Sequence, residues 1–190
     1  MQTGEKIVEA ARGILVSEGA QAVTMRRVAE AVGVTAMAIY KHHRNREALL
    51  GAVADRTFRD LAEGWGTRVP EGGWEARVDG LMHDFLDFAL GSPHLYAFLM
   101  TDRREQARRF PDDFKGGGSP AFDRLVELVE EGMRAGVLRE DDPLEVSLAM
   151  TSSTQGLVHL YLGGRIGLPE TEFRALCARM VGRILDGVRA

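Results

Sequence analysis

The sequence predicts an all-α protein. Nearly every segment places its apolar residues at a helical period, and no stretch shows the sustained alternation of apolar and polar residues that a half-buried strand requires. Glycines and prolines fall between these periodic segments, where they end one helix and begin the next. The chain has 190 residues, of which 45% are hydrophobic, so it can bury the core of one large domain or of two small ones.

The N-terminal part predicts a three-helix unit followed by a longer helix. The first helix carries Ile7 and Leu15 on one face, and Gly19 lies just past its end. Two short helices follow, because Thr24 and Thr35 are suitable N-caps. The longer helix starts near Asn45, and its inner face carries Leu49, Val53 and Leu61.

A Gly-rich stretch from Glu63 to Gly73 predicts a linker. We therefore assign residues 1–62 to an N-terminal domain and residues 63–190 to a larger helical domain. The predicted helices of the larger domain begin at or near Trp74, Pro93, Pro120, Pro143 and Pro169.

Charge is distributed unevenly, although the formal net charge is only -4. Residues 1–62 hold nine Lys and Arg against seven Asp and Glu, whereas the remainder carries 15 against 21. Within the first part, residues 24–46 contain five basic side chains against Glu30 alone. Such an island is expected where a polyanion docks, and a solvated basic face is the alternative.

The segment TMRRVAEAVGVTAMAIY, residues 24–40, has the spacing of a helix-turn-helix. This motif needs a small residue where its helices cross, a residue that tolerates a tight turn four positions later, and apolar residues that join the helices. Ala29 and Gly33 meet the first two needs. The apolar set is Val28, Val32, Val34 and Ile39. We therefore expect the second helix to enter the major groove of duplex DNA.

The side chains expected to contact DNA form two groups. Near the start of the second helix, where base edges are read, lie Thr35, Ala36, Met37 and Lys41. Contacts with backbone phosphates are predicted for Thr24, Arg27, Tyr40, His42 and Arg46. Arg26 and Lys41 are the best long donors for guanine. Tyr40 has the alternative of a core aromatic, and His43 is expected to pack against the first helix.

The last two helices are unusually apolar, which predicts a homodimer. A monomer would leave a large apolar patch in water, whereas a twofold partner could cover it. The predicted interface residues are Ala149, Ser152, Gly156, Phe173, Cys177, Met180, Val181 and Ile184. The alternative is that the two helices pack inside one subunit.

The stretch TMRRVAEAVGVTAMAIYKHHRNREALL resembles the DNA-binding motif of the TetR family of transcriptional regulators. Its 27 residues follow the family pattern almost position for position, and His43 is the departure, where the family usually has an apolar residue. The resemblance implies a homodimer on a near-palindromic operator in double-stranded DNA. It also implies a small-molecule effector, bound in the C-terminal domain, that relieves repression.

We expect the effector pocket among the helices that begin at Trp74, Pro93, Pro120 and Pro143, and we expect a largely apolar ligand. The candidate lining residues are His83, Phe85, Phe88, Phe98, Met100, Phe122, Met150, Thr154 and His159, with the two histidines as polar anchors. The alternative for each apolar residue is an ordinary place in the core.

Other functional classes have little support. Adjacent helical residues such as His42 and His43 project about 100° apart, and no HExxH spacing is present, so we expect no metal and no cofactor. No histidine, aspartate or cysteine sits in a catalytic motif, so we expect no enzyme; a binding dimer with decayed DNA reading is the closer alternative. The single Cys177 and the lack of an apolar leader or span favour a cytoplasmic protein without membrane association.

Overall fold

The computed structural model describes residues 3–65, 72–104, 107–115 and 119–190. Over these residues the fold is helical, as predicted, apart from one isolated β-bridge between Leu138 and Arg189. The helices are α1 (Thr3–Glu18), α2 (Met25–Val32), α3 (Ala36–Tyr40), α4 (Arg46–Gly64), α5 (Trp74–Gly91), α6 (Pro93–Met100), α7 (Pro120–Arg134), α8 (Pro143–Leu162) and α9 (Glu170–Gly187). Short 3-10 turns occupy Ala20–Ala22 and Asp112–Phe114.

The chain forms two compact units. The first comprises Met1–Asp60 and Ser92–Ala107, and the second comprises Leu61–Gly91 and Arg108–Ala190. Most of the predicted linker, residues 66–71, lies outside the described residues. The division at Asp60 falls within α4, close to the predicted boundary after residue 62.

The first unit is built around α1. Ile7 and Leu15 are fully buried on the face that the sequence predicted, and α1 packs against α2 and α6. The buried side chains that α2, α3 and α4 contribute to this unit include Val28, Ala29, Ile39, Leu49 and Val53. A single apolar core therefore holds the short helices, which would be too short to be stable alone.

Helix α6 packs with the first unit, whereas the predicted domain boundary assigned it to the C-terminal domain. Leu95 and Tyr96 are each only 2% exposed, and burial raises the pKa of the Tyr96 phenol to about 12. The His94 ring lies beside Gly19, since a Cβ added there would stand 3.5 Å from its Nδ1. The apolar face of α6 is thus buried by a segment more than 70 residues away in sequence.

The second unit is a helical bundle in which α8 packs against α5, α7 and α9, and α5 also packs against α7 and α9. Its fully buried apolar side chains include Leu86, Val129, Val158, Phe173 and Cys177. The Trp74 indole donates a hydrogen bond from Nε1 to the Leu128 carbonyl at 2.6 Å. This buried donor is satisfied, so α5 and α7 are joined in a specific register.

Candidate nucleic-acid interface

The turn between α2 and α3 has the conformation that the helix-turn-helix spacing predicted. Gly33 adopts a left-handed φ of 74°, and its N–H bonds to the carbonyls of Ala29 and Glu30. This conformation is strained for residues with a Cβ, which explains the glycine. Ala29 is only 3% exposed where the two helices meet. The sequence therefore predicted the turn correctly.

Both short helices are capped by the predicted threonines. The Thr24 hydroxyl accepts a hydrogen bond from the Arg27 amide at 3.2 Å, and the Thr35 hydroxyl accepts one from the Ala38 amide at 3.3 Å. Each cap satisfies one of the amide donors that a helix start leaves unpaired. Both hydroxyls keep their own hydrogen, so both remain able to donate to a ligand.

Helix α3 has one buried and one exposed face. Ile39 is fully buried, whereas Met37 is 69% exposed and Tyr40 is 48% exposed. Lys41 follows at the end of the helix and is also exposed, while Ala36 is half-buried. Met37, Tyr40 and Lys41 share one side because they are spaced three and four residues apart. They form the exposed α3 face, and the alternative of a core Tyr40 is wrong for this subunit.

The two arginines at the start of α2 are in different environments. Arg26 keeps 85% of its side chain exposed, with its Nε 3.5 Å from a Glu30 oxygen. Arg27 donates through Nη1 and Nη2 to both carboxylate oxygens of Glu18, at 3.0 and 2.6 Å. The hydrogen bond between them lowers the pKa of Glu18 and raises the pKa of Arg27. Arg26 is therefore more available to a ligand than Arg27.

Arg46 is bonded to the backbone that precedes α2, although we predicted a phosphate contact for it. Its Nε donates to the Val23 carbonyl at 2.8 Å and its Nη2 donates to the Ala20 carbonyl at 2.5 Å. Its Nη1 lies 3.6 Å from the Glu47 carboxylate. The guanidinium thereby ties the first turn of α4 to the entrance of the helix-turn-helix, a role that its charge and position in the sequence did not indicate.

The histidine pair behaves as two separate residues. His42 is exposed, and its Nδ1 would stand 3.4 Å from a Cβ added at Gly4 of α1. His43 is half-buried, and burial, followed by the neighbouring His42, lowers its pKa below the ordinary 6.5. His43 is therefore mostly neutral at pH 7, so the imidazole can occupy a site where the family pattern has an apolar side chain. The sequence predicts His43 beside α1 and a phosphate contact for His42, whereas the imidazole that lies beside Gly4 of α1 is that of His42.

The predicted effector residues do not all belong together. Phe98 and Met100 lie on α6 in the first unit, where the Arg104 guanidinium stands 4.9 Å from the centre of the Phe98 ring. The other seven lie in the second unit. Of the two proposed polar anchors, His159 is exposed, and His83 places its Nδ1 2.8 Å from the Asp79 carbonyl of its own helix. His159 is exposed and His83 is half-buried in the single chain, so their role as polar anchors stays a prediction.

Two residues of the second unit, Trp65 and Ser147, are absent from the predicted effector pocket. The Trp65 ring lies 6.1 Å from Phe85 and 6.3 Å from Phe88, measured between ring centres. On α8, the fully buried Ser147 hydroxyl has no hydrogen-bond partner within the described part of the chain, and it shares a helix face with Met150 and Thr154. An isolated serine among apolar residues gives no signal in sequence, because its burial depends on how the helix packs.

The predicted dimer residues divide by exposure. Ala149, Ser152 and Gly156 are exposed on α8. Phe173, Cys177 and Val181 are instead at most 6% exposed within the subunit itself, and the Phe173 ring stacks on Tyr161 at 4.0 Å. These three therefore form core, not contact surface, because the apolar stripe of α9 faces α8 of the same chain. Met180 and Ile184 are half-buried beside that stripe. The Cys177 pKa is raised to about 11 by burial, as befits an unreactive thiol.

Residues 3–65, 72–104, 107–115 and 119–190 contain no group of three or more His, Cys, Asp and Glu side chains placed to hold a metal ion. Within the same ranges, no helix has the length and apolar content that crossing a membrane requires.

The fold and the exposed α3 face define a helix-turn-helix protein, and two family profiles match the chain. The family described as "Bacterial regulatory proteins, tetR family" matches residues 7–53. The family described as "Tetracyclin repressor-like, C-terminal domain" matches residues 78–184, which is more than half of the chain. The protein therefore belongs to the TetR family.

Curated relatives agree with this membership. The chain is 32% identical over 132 residues to the tetracycline repressor protein class A from transposon 1721 of Escherichia coli, covering 68% of this chain and 56% of that protein. It is 31% identical over 84 residues to the HTH-type transcriptional repressor DrrR1 of Streptomyces coeruleorubidus, covering 44% of this chain and 30% of that protein. The matches thus span about a third to a half of the relatives' lengths.

Two solved structures share the fold over nearly the whole chain. A protein of unknown function from Rhodococcus sp. RHA1 superposes with a TM-score of 0.82 at 23% identity, covering 100% of this chain and 97% of that one. The transcriptional regulator FadR from Bacillus subtilis, in complex with stearoyl-CoA, superposes with a TM-score of 0.75 at 14% identity, covering 97% and 99%. At these identities the likeness concerns the fold alone.

Proposed function

We propose that this protein is a sequence-specific DNA-binding transcriptional regulator that acts as a cytoplasmic homodimer. The observation that carries the proposal is the exposed α3 face, which projects from a capped helix-turn-helix that also carries exposed cations. Arg26 is 85% exposed on its side chain although its Nε lies 3.5 Å from Glu30, and Lys41 and Arg44 are exposed and form no ion pair within the described part of the chain. An exposed recognition face with positive flanks matches the shape and charge of a DNA groove. We propose that the protein is not an enzyme.

The proposed mode of action is repression that an effector relieves. A dimer reads two half-sites when its recognition helices reach successive major grooves, about 34 Å apart along one face of the duplex. An effector that favours another separation weakens DNA binding by its differential affinity for the two states, typically by about 1 to 3 kcal/mol. DNA must weaken effector binding by the same factor.

An unbiased selection of duplex fragments on the purified full-length protein tests DNA reading. The expected result is enrichment of one near-palindromic sequence, with an affinity that falls steeply as salt rises, because phosphate contacts release counterions. The double variant Met37→Ala/Lys41→Ala is the control, since both side chains are exposed and their loss leaves the fold intact. A dimer that enriches no sequence would instead favour the alternative of a binding protein with decayed DNA reading.

Arg46→Ala is expected to lower operator affinity by about tenfold without changing its salt dependence. The variant loses two charge-assisted hydrogen bonds to the carbonyls of Val23 and Ala20, each worth about 1 to 2 kcal/mol at a partly exposed position. The helix-turn-helix is then less rigidly placed on α4, but no phosphate contact is lost. Fluorescence anisotropy across a salt series and thermal unfolding measure the two effects.

Arg26→Ala is the matched control for Arg46→Ala. Because the Arg26 side chain is 85% exposed, its loss should leave thermal stability unchanged. Because Arg26 is predicted to donate to guanine, its loss is expected to change base preference, whereas the loss of a phosphate contact would lower the slope of log affinity against log salt by about one. A similar fall in slope for Arg46→Ala, with unchanged stability, would restore the phosphate contact that we first predicted for Arg46.

We further propose that the effector binds within the second unit, close to Phe85 and Phe88. The α8 face that carries Ser147, Met150 and Thr154 is expected to complete this site. The aromatic cluster around Trp65 offers apolar surface, and the Ser147 hydroxyl is a fully buried polar group without a hydrogen-bond partner among residues 3–65, 72–104, 107–115 and 119–190. A buried hydroxyl of this kind costs free energy unless a ligand or a water bonds to it. The effector is therefore expected to be apolar, possessing one hydrogen-bonding group for Ser147.

Energy transfer from tryptophan to 1-anilinonaphthalene-8-sulfonate tests this location. The dye binds apolar sites, and Trp65 is expected to excite it because the proposed site adjoins that ring. Trp65→Phe should therefore lower the transfer and retain the dye affinity, since Phe keeps an aromatic ring in the cluster. Transfer of equal strength in the variant would place the dye nearer Trp74, the other tryptophan, and would contradict the proposed location.

A further inference from the structure

The exposed α3 face is unusually apolar for a surface that we propose to bind DNA. Among the described residues, the two most exposed large apolar side chains are Met37 and Tyr40, and both belong to this five-residue helix. Soluble proteins expose neighbouring large apolar groups mainly where a partner covers them. We therefore expect Met37 to bind a partner. It lies opposite the buried Ile39 and is already exposed, so binding needs no rearrangement of α3.

The chemistry of Met37 restricts what it can read. A thioether donates no hydrogen bond and accepts only weakly, so Met37 cannot pair with the polar edges of guanine, cytosine or adenine. The thymine 5-methyl is the apolar group that the bases present in the major groove. Placing Met37 over a guanine edge would remove two acceptors from water without replacing their hydrogen bonds, which is unfavourable. Of the four bases, thymine is thus the one that Met37 fits.

The charge around the α3 face indicates DNA as the occupant, not an apolar protein surface. Arg26 in the first turn of α2, and Lys41 and Arg44 just after α3, are exposed, and Glu30 is the one acidic residue between positions 24 and 46. A cationic rim around an apolar centre complements a groove in which methyl groups lie between two rows of phosphates. A second protein with an apolar patch would leave these cations without partners.

We propose that Met37 is a specificity-determining residue that selects thymine through its 5-methyl group, so that each operator half-site carries a thymine under α3. This inference rests on the proposed function, because it concerns how the same surface reads DNA. Lys41 supplies the hydrogen-bond donor of the α3 face for a neighbouring base. The operator is therefore read jointly by an apolar contact and a charged one.

Deoxyuridine substitution tests this inference, because it removes the 5-methyl group and leaves the base pairing unchanged. After the operator has been selected on the full-length protein, each thymine of a half-site is replaced in turn and affinity is measured at constant salt. One position is expected to lose affinity about fourfold per methyl, and replacing it in both half-sites about fifteenfold. Thymines outside the half-sites provide the control.

Two variants assign the effect to Met37. Met37→Ala should bind the thymine and deoxyuridine operators equally, whereas Met37→Leu, which keeps the apolar volume, should keep the discrimination. Because Met37 is 69% exposed, thermal unfolding should be unchanged in both. Equal loss at the same position in the wild type and Met37→Ala would assign the methyl to another residue and overturn the inference.

The outcomes separate the two proposals. If the protein selects an operator and no deoxyuridine substitution changes its affinity, thymine reading by Met37 is wrong and the regulator stands. If the protein selects no duplex at all, the proposed function itself fails, and the apolar α3 face then belongs to a protein partner.

Discussion

Ala149→Arg is expected to dissociate the dimer and to lower operator affinity by at least about 1,000-fold, the lower end of the usual difference between specific and non-specific binding. Ala149 is exposed on α8 in the single chain, as are Ser152 and Gly156 at spacings of three and seven residues. These small side chains lie beside the exposed Leu148 and Leu160, which are 36% and 39% exposed. We propose that this face meets its copy across a twofold axis.

Arginine at position 149 would place a charge and a long side chain where two helices approach closely. The chain itself loses nothing, because the site is exposed before association. Burying two unpaired guanidinium groups across the axis costs several kcal/mol, which exceeds what a helix pair of small residues can offset. Light scattering should therefore report monomers at micromolar concentration, while thermal unfolding of the separate chain remains cooperative.

Ala135→Arg is the matched control for this prediction. Ala135 is exposed at the C-terminal cap of α7, where a basic side chain also suits the helix dipole. The control should remain dimeric and keep its operator affinity. If Ala149→Arg also remains dimeric, the exposed face of α8 is not the interface, and another surface must hold the two copies together.

The helix-turn-helix could be predicted closely from sequence because its determinants are local. Thr24 and Thr35 act on amides three residues away, and Gly33 supplies a backbone conformation that its own lack of a Cβ permits. Such features depend little on the rest of the fold. The boundaries of α2 and α3 and the exposure of Met37 followed from them.

Features that depend on distant contacts could not be predicted in the same way. The charge and position of Arg46 suggest a phosphate, but its partners are carbonyls 23 and 26 residues earlier in the chain. The apolar period of α9 predicts that Phe173 and Cys177 are buried. It does not predict whether they are buried by a helix of the same chain or by a second copy of the protein. An apolar period therefore predicts which face of a helix is buried, but it does not predict which helix packs against that face.

Helix α6 illustrates the same limit at the level of domains. Apart from His94, its sequence PHLYAFLM is apolar around most of the helix, so the pattern does not predict which side packs against a neighbour. Its assignment to the first unit depends on the surface that α1 offers, which no local rule describes. The predicted effector pocket is affected in the same way, because it groups Phe98 and Met100 of α6 with residues of the second unit.

Gly132→Ala is expected to lower the free energy of unfolding by about 2 kcal/mol, against the usual direction for a glycine inside a helix. Alanine normally stabilises a helix by up to about 1 kcal/mol relative to glycine. At Gly132, however, the added Cβ would stand 2.7 Å from Cε2 and 2.8 Å from Cζ2 of Trp74. The indole cannot move freely, because its Nε1 is bonded to the Leu128 carbonyl. Overpacking of this kind typically costs about 1 to 3 kcal/mol, and the hydrogen bond weakens as well.

Gly182→Ala provides the matched control, because it lies within α9 of the same unit and an added Cβ there meets nothing within 4 Å. Thermal unfolding should show a small rise for Gly182→Ala and a fall of several degrees for Gly132→Ala, since 1 kcal/mol shifts Tm by about 2 to 4 °C in a protein of this size. In a Trp74→Phe background, which removes the atoms that the new methyl would meet, Gly132→Ala should cost much less. An equal cost in both backgrounds would show that Gly132 is required for another reason than the close approach of Trp74, and the packing of α5 on α7 would then need a different explanation.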